Sequence, residues 1–295
     1  MNRTLWIATG SIAVGVVVLG LKTLAWWMTG SVALLSDALE STVNVVTALA
    51  ALFAIRIAQR PADSTHPYGH HKAEFLSAVL EGVMIIVAAL LILDEAWQGI
   101  RNPRPLVAPW EGLLVNALAG TINAVWCAIL LRQGRRLQSP ALVADGHHLL
   151  SDVVSSAGVL VGVSLAIATG YPILDPILAA LVAVNILWSG WMVMSASLGG
   201  LMDKAVPDDL LRDIHETISS NAGGAIEAHD LRTRSAGSMT FVDFHLVMDG
   251  NTSVAQAHAI CDRIEAALRD RLDNAQITIH VEPEHKAKHS GVLVI

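Results

Sequence analysis

The chain has 295 residues, 53% of them hydrophobic and only 15% charged, with a positive mean hydropathy and a formal net charge of −7. So little charge at this length argues against a soluble globular protein and for a membrane protein. The acidic balance excludes nucleic acid as a partner, since phosphate binding needs concentrated Lys and Arg. The two cysteines, Cys127 and Cys261, form no CxxC and argue against a disulfide framework or a cysteine-zinc site.

Six segments approach or exceed the roughly 20 residues that cross a bilayer: 5–28, 33–57, 74–98, 111–132, 141–168 and 173–198. The first is too long for a signal-peptide core and reads as a retained span. Breaks rich in Gly, Pro or charge separate them, among them "RPADSTHPYGHHK" after the second and "RQGRRLQSP" after the fourth. Arg3, Arg56, Arg60, Lys72, the Arg132, Arg135 and Arg136 cluster and Lys204 fall on one side if the spans alternate. Arg101 and Arg104 fall on the other, so both termini are expected in the cytoplasm.

After "LMDKAVPDD" the composition becomes that of a small soluble domain. "PDDLLRDIHETISS" reads as a helix, "EAHDLRTRSAG" and "SMTFVDFHLVMDG" as strands, "TSVAQAHAICDRIEAALRDRL" as a helix capped by Thr252 or Ser253, and "AQITIHVEPE" as a third strand. The expected fold is an α-helical membrane protein with six transmembrane helices plus a small cytoplasmic α+β domain of order α-β-β-α-β. The division is 1–200 for the spans, 201–206 for a hinge linker, 207–285 for the cytoplasmic domain and 286–295 for a disordered tail.

Ionisable residues inside spans point to function. In "ADGHHLLSD" of the fifth span, Asp145, His148 and Asp152 follow a three-then-four spacing and share one helix face. In "SDALESTVN" of the second, Asp37, Glu40 and Asn44 repeat it. An i, i+4 pair from each helix supplies four ligands, Glu40, Asn44, His148 and Asp152. Three oxygens and one imidazole suit a divalent first-row cation, zinc above all, with iron(II), cobalt or manganese as alternatives. The same groups can take up protons, which is what an exchanger requires. The competing reading is that Glu40 and Asn44 only hydrogen-bond between helices. His147 points about 100° away and is assigned to packing.

Outside the spans, Asp63, His66 and His70 are spaced so that one turn can bind a cation; a solvated connector is the alternative. In the small domain, strand alternation puts His245 on the face opposite the apolar side, and His280 and Glu282 share a face. His229 and His258 lie elsewhere in the sequence of the same domain.

The chain resembles the cation diffusion facilitator family, six-span metal/proton antiporters with a cytoplasmic α-β-β-α-β domain, and is most similar to bacterial zinc/iron exporters. The resemblance runs through "LKTLAWWMTGSVALLSDA", "RPADSTHPYGHHKAE", "HHLLSD", "HDLRTR", "FHLVM", "QAH" and "ITIHVE". It implies a transport site at Glu40, Asn44, His148 and Asp152, where the family usually has His or Asp and then Asp on the second span. It further implies a loop metal site at Asp63, His66 and His70, and a binuclear cytoplasmic site at His229, His245, His258, His280 and Glu282. A charge lock between Lys72 and Asp203 at a dimer hinge follows as well, with Asp37 and Asp145 beside the transport site.

The expected protein is therefore a homodimeric exporter in a bacterial inner membrane, with metal and proton as substrates, zinc or a similar ion also bound in the cytoplasmic domain, and no enzymatic activity. A non-transporting metal sensor or scaffold is the second reading. An intramembrane metalloenzyme is disfavoured because no HExxH is present.

Overall fold

The computed structural model describes residues 3–29, 32–102, 110–169, 171, 173–272, 274–288 and 292–293. The chain divides into two compact units, 1–198 and 199–295.

Among the described residues the first unit is built from six long helices: α1 (Arg3–Thr29), α2 (Val32–Ala58), α3 (Ala73–Arg101), α4 (Trp110–Arg136), α5 (Pro140–Thr169) and α6 (Leu174–Leu201). Four segments are long and apolar enough to cross a membrane: Arg3–Trp27, Ala73–Arg101, Leu113–Arg136 and Ala179–Leu201, while α2 contributes the shorter apolar run Asn44–Ala58. Six spans are expected and six helices form; among the described residues four segments qualify, and stretches of α2 and α5 lie outside the described side chains. The bundle buries polar side chains beside an apolar core that includes Ile55, Ile85 and Leu130, and turns large apolar side chains outward. Ser11, Lys22, Asn44, Glu81, Asn123 and Asp145 are buried, whereas Trp27, Phe53, Leu91, Leu114 and Trp188 are exposed. That arrangement suits a lipid surround, where association relies on close packing and interhelical hydrogen bonds.

The break expected at 132–140 is narrower than its sequence suggests, because α4 continues through Arg136. Gly134 permits this: a Cβ there would meet the Val143 backbone nitrogen at 3.0 Å. Ser139 precedes α5, and its hydroxyl donates to the buried carboxylate of Glu74 on α3. The Ala141 amide donates to the same carboxylate. A carboxylate at a helix N-terminus satisfies orphan amides and favours the dipole.

The second unit orders as α7 (Asp208–Asn221), β1 (Glu227–Ala236), β2 (Met239–Met248), α8 (Val254–Arg271), β3 (Ala275–Pro283) and β4 (Val292–Leu293). Ser253 caps α8 reciprocally with Gln256. The sheet runs β3-β2-β1-β4, with β1 antiparallel to β2 and β3 parallel to β2 across the α8 crossover. Ile214 and Ile218 of α7, Ile264 and Leu268 of α8, and Val242, Phe244 and Leu246 of β2 form its core. The expected disordered tail is corrected at Val292–Leu293, which pair antiparallel with Ala228 and Glu227 on the edge of β1.

Gly82 shows how tightly α3 meets α6, since a Cβ there would lie 2.8 Å from the Met194 backbone nitrogen. Gly82→Ala is expected to destabilise the purified protein by about 1–3 kcal/mol through overpacking. Gly20→Ala, with nothing within 4 Å, serves as the matched control and should leave stability unchanged. Thermal melts in detergent, read by size-exclusion recovery, distinguish the two.

Candidate functional site

Between α2 and α5, three of the four expected ligands meet. His148 Nε2 lies 2.7 Å from Asn44 Oδ1, and Asn44 Nδ2 donates to Asp152 Oδ2. All three side chains are at most 4% exposed. Asn44 Oδ1 can only accept, so in this arrangement the imidazole proton sits on Nε2. His148 Nδ1 then has no hydrogen-bond partner among the described residues, in a buried position. The side chains of Glu40 and Asp37, both on α2, lie outside the described residues.

Asp145, one turn before His148, accepts a 2.7 Å hydrogen bond from Ser11 Oγ of α1, and Trp126 Nε1 of α4 donates to the same hydroxyl at 2.9 Å. Asp145 Oδ1 has no hydrogen-bond partner among the described residues. Asp145 lines a small cavity with Ser11, Asn44 and Asn123, so it shares polar space with the α2–α5 pair. The sequence reading passes over Ser11, Asn123 and Trp126, which belong to no repeated spacing. It also passes over Lys22 of α1, which is 1% exposed within an apolar helix.

The loop between α2 and α3 folds as a tight turn around Asp63. Its Oδ1 accepts from the Thr65 and His66 amides at 2.8 and 2.7 Å and from the Thr65 hydroxyl at 2.7 Å. These bonds, led by the Thr65 hydroxyl, hold the carboxyl down at about 2 against an ordinary 3.8. A lowered pKa of this kind favours the folded turn above the ordinary carboxylate range, and that preference fades as pH falls towards about 2. Gly69 reverses the chain at φ +83°, where a Cβ would come within 2.9 Å of the His71 ring. His70 is thereby brought back to Asp63: its Nε2 lies 3.5 Å from Asp63 Oδ2, and the His66 ring stacks at 4.3 Å. Donor atoms of Asp63, His66 and His70 all fall within 4.8 Å of one another. Burial, followed by the nearby His70 charge, pushes the His71 imidazole down.

In the second unit, strand register aligns three histidines: His229 of β1 is opposite His245 of β2, which is opposite His280 of β3. Glu282 spans them, with Oε2 3.3 Å from His229 Nε2 and Oε1 3.4 Å from His245 Nδ1 and 3.7 Å from His280 Nε2. Tetrahedral zinc bound at about 2.0–2.1 Å requires donor separations of roughly 3.3 Å. Among the described residues neither nitrogen of the buried His229 makes a hydrogen bond, while the Glu227 and Glu282 carboxylates stand 3.6 and 3.3 Å from Nδ1 and Nε2, so the imidazole is open to a metal. The donor set of imidazoles and carboxylates fits a zinc-like ion.

Asp230 is a ligand candidate that the sequence reading missed. A register shift after His229 and a φ of +52° turn it to the same side, with Oδ2 3.8 Å from His245 Nδ1. His229, Asp230 and His245 form one compact donor group. The fifth expected residue, His258, stands exposed on α8 with Asp262 at 3.6 Å, away from this group among the described contacts. Asp203, at φ +59°, pairs with Arg234 of β1 at 3.1 Å, and Arg234 lies over the Phe241 ring at 4.1 Å. Lys72 stands immediately before α3. These two expected lock residues belong to different units of the chain.

The chain matches two family models, the cation efflux transmembrane domain over residues 8–202 and the cation efflux protein cytoplasmic domain over residues 206–284. It is 42% identical over 273 residues to an uncharacterized transporter of Synechocystis sp., covering 92% of this chain and 88% of that one. It is 34% identical over 281 residues to the cation-efflux pump FieF of Escherichia fergusonii, covering 94% and 91%. A solved structure of CzrB in its zinc form shares 42% identity over 29% of this chain and 98% of its own, with a TM-score of 0.28.

Asp63 builds the turn and is a candidate ligand, and the two roles separate by mutation. Asp63→Asn retains an oxygen that accepts the turn's amides but loses the charge. It should weaken metal binding at the loop by at least the ~10–100-fold seen when groups supporting a metal site are lost. Asp63→Ala should weaken binding further and loosen the loop, read by metal titration together with amide exchange across 63–70.

Proposed function

The chain belongs to the cation diffusion facilitator family of membrane cation-efflux transporters, and we propose that it exports a zinc-like divalent metal ion from the cytoplasm in exchange for protons. The observation that carries this reading is the buried junction of Asn44, His148 and Asp152 between α2 and α5. The assigned cargo site is that trio plus Glu40, with Asp37 and Asp145 beside it. Glu40 and Asp152 balance the charge of a dication and so lower its cost in a medium that solvates charge poorly.

The chemistry is ligand exchange: metal–ligand bonds and the N–H and O–H bonds of the same groups form and break in alternation, with no other covalent change. Metal reaching the site must replace Asn44 as the partner of His148 and Asp152. Protons arriving from the opposite side reclaim the imidazole and the carboxylates, which lowers affinity for the metal and releases it. Coupling requires that the inward-facing and outward-facing arrangements differ in their affinity for the two cargoes. The remaining assignments are six spans, cytoplasmic termini, a homodimer in a bacterial inner membrane, and the Lys72–Asp203 lock at its hinge. The loop trio Asp63, His66 and His70 and the cytoplasmic set His229, His245, His258, His280 and Glu282 are assigned to bound metal that biases or braces the dimer.

One observation favours a second reading, a non-transporting metal sensor or scaffold. Asn44 is neutral and already bridges His148 and Asp152, so α2 and α5 are held together without any ion.

Flux separates the two. In proteoliposomes with an acidic lumen, wild type should take up Zn²⁺ in proportion to the pH gradient, and Asp152→Ala should abolish uptake while keeping its size-exclusion profile. Asn44→Asp should carry at least wild-type flux. Wild type without flux, with uptake restored by Asn44→Asp, would establish the sensor instead.

A further inference from the structure

The tail of the chain returns to the cytoplasmic metal cluster. Beyond Glu282 a single turn, Glu284–Lys286, redirects it, and Val292 and Leu293 then pair with Ala228 and Glu227 on the free edge of β1. Between these two points Lys288 places its ammonium 2.6 Å from Asp230 Oδ2. The same oxygen faces His245 Nδ1 at 3.8 Å, and the Asp230 carboxylate completes a donor group with His229 and His245. Asp230 holds its place through a left-handed backbone, which a non-glycine residue adopts at some cost and which collects at functional positions. The Lys288 contact leads the causes that hold the Asp230 carboxyl below its ordinary value.

We propose that Lys288 is a tethered competitor for the cytoplasmic metal cluster: its ammonium and a divalent cation contend for the Asp230 carboxylate, so that metal binding by His229, Asp230 and His245 releases Lys288 and the tail behind it. The inference rests on the reading of that cluster as a metal site. One carboxylate serves both cations, and a dication beside His245 repels an ammonium at hydrogen-bond distance from that carboxylate. Tethering raises the local concentration of the competing charge without adding a strong contact. Lys288 and Asp230 are 49% and 32% exposed, so their pair is a weak surface ion pair. Competition of that strength raises the metal concentration needed to fill the cluster by roughly two- to five-fold. The device also links occupancy to a mechanical output, because the tail bridges the strand carrying His280 and Glu282 and the edge of the strand carrying His229. β4 is two residues long and exchanges readily once its anchor is lost.

The test uses the full chain in detergent with Zn²⁺ as the probe. Lysine acylation by an N-hydroxysuccinimide ester is followed at Lys288 by mass spectrometry, with Lys286 as internal reference, and Zn²⁺ affinity is measured by chelator competition. Binding lost in His229→Ala/His245→Ala is assigned to the cluster. Saturating Zn²⁺ should raise Lys288 labelling several-fold while Lys286 is unchanged, and should do nothing in His229→Ala/His245→Ala. Lys288→Gln should tighten cluster binding by about two- to five-fold, and Lys288→Arg should stay near wild type. Cluster binding that leaves Lys288 labelling unchanged, or that is equally tight in Lys288→Gln and wild type, overturns the proposal and leaves the metal site standing. No Zn²⁺ binding that depends on His229 and His245 overturns both.

Discussion

Everything in the first unit is arranged around one junction, the hydrogen-bonded contact of Asn44 with His148 and Asp152 between α2 and α5. Polar groups in an apolar surround are costly unless they find partners, and these partner one another across two helices. The rest of the bundle answers that constraint. Ser11 and Trp126 bring α1 and α4 to Asp145 on the same helix, and Glu74 of α3 caps the start of α5. Glycines at 82 and 134 let backbones approach where a side chain would wedge them apart. The helix bearing two of the assigned ligands, α5, is thus held at its beginning by α3 and along its length by α1, α2 and α4.

The second unit solves a related problem with strands. Period-two alternation sends Val242, Phe244 and Leu246 into the core and leaves His245 on the other face. Register places His229 and His280 on either side of it, and Glu282 reaches all three. The core itself is made by apolar residues of α7, α8 and all three main strands, Ala228 of β1 and Ile277 of β3 among them, on the far side of the sheet from His245.

Much of this was legible in the residues. The six helices follow from long apolar runs with marked breaks, and the polar stripes of α2 and α5 follow from helical periodicity. The order α-β-β-α-β follows from the helix and strand patterns, and the shared face of His280 and Glu282 and the outward face of His245 follow from alternation. What escaped was whatever depends on a departure from period or on distant pairing. Strict alternation puts Asp230 on the face opposite His229; the bulge and the left-handed backbone that reverse it have no glycine to announce them. β4 is too short to show any period, so its pairing with β1 read as tail, and Lys288 read as an unremarked surface charge. Ser11 is one hydroxyl in an apolar helix, and only the packing of α1 against α4 and α5 gives it a role.

Cargo binding between α2 and α5 is tested most directly by counting metal on a chain that lacks the loop and cytoplasmic histidine pairs. In the His66→Ala/His70→Ala/His229→Ala/His245→Ala variant, equilibrium dialysis against Zn²⁺ with quantification by mass spectrometry should find one ion per chain, lost on adding Asp152→Ala and displaced by acid. No retained ion, or an ion indifferent to Asp152→Ala, would contradict it.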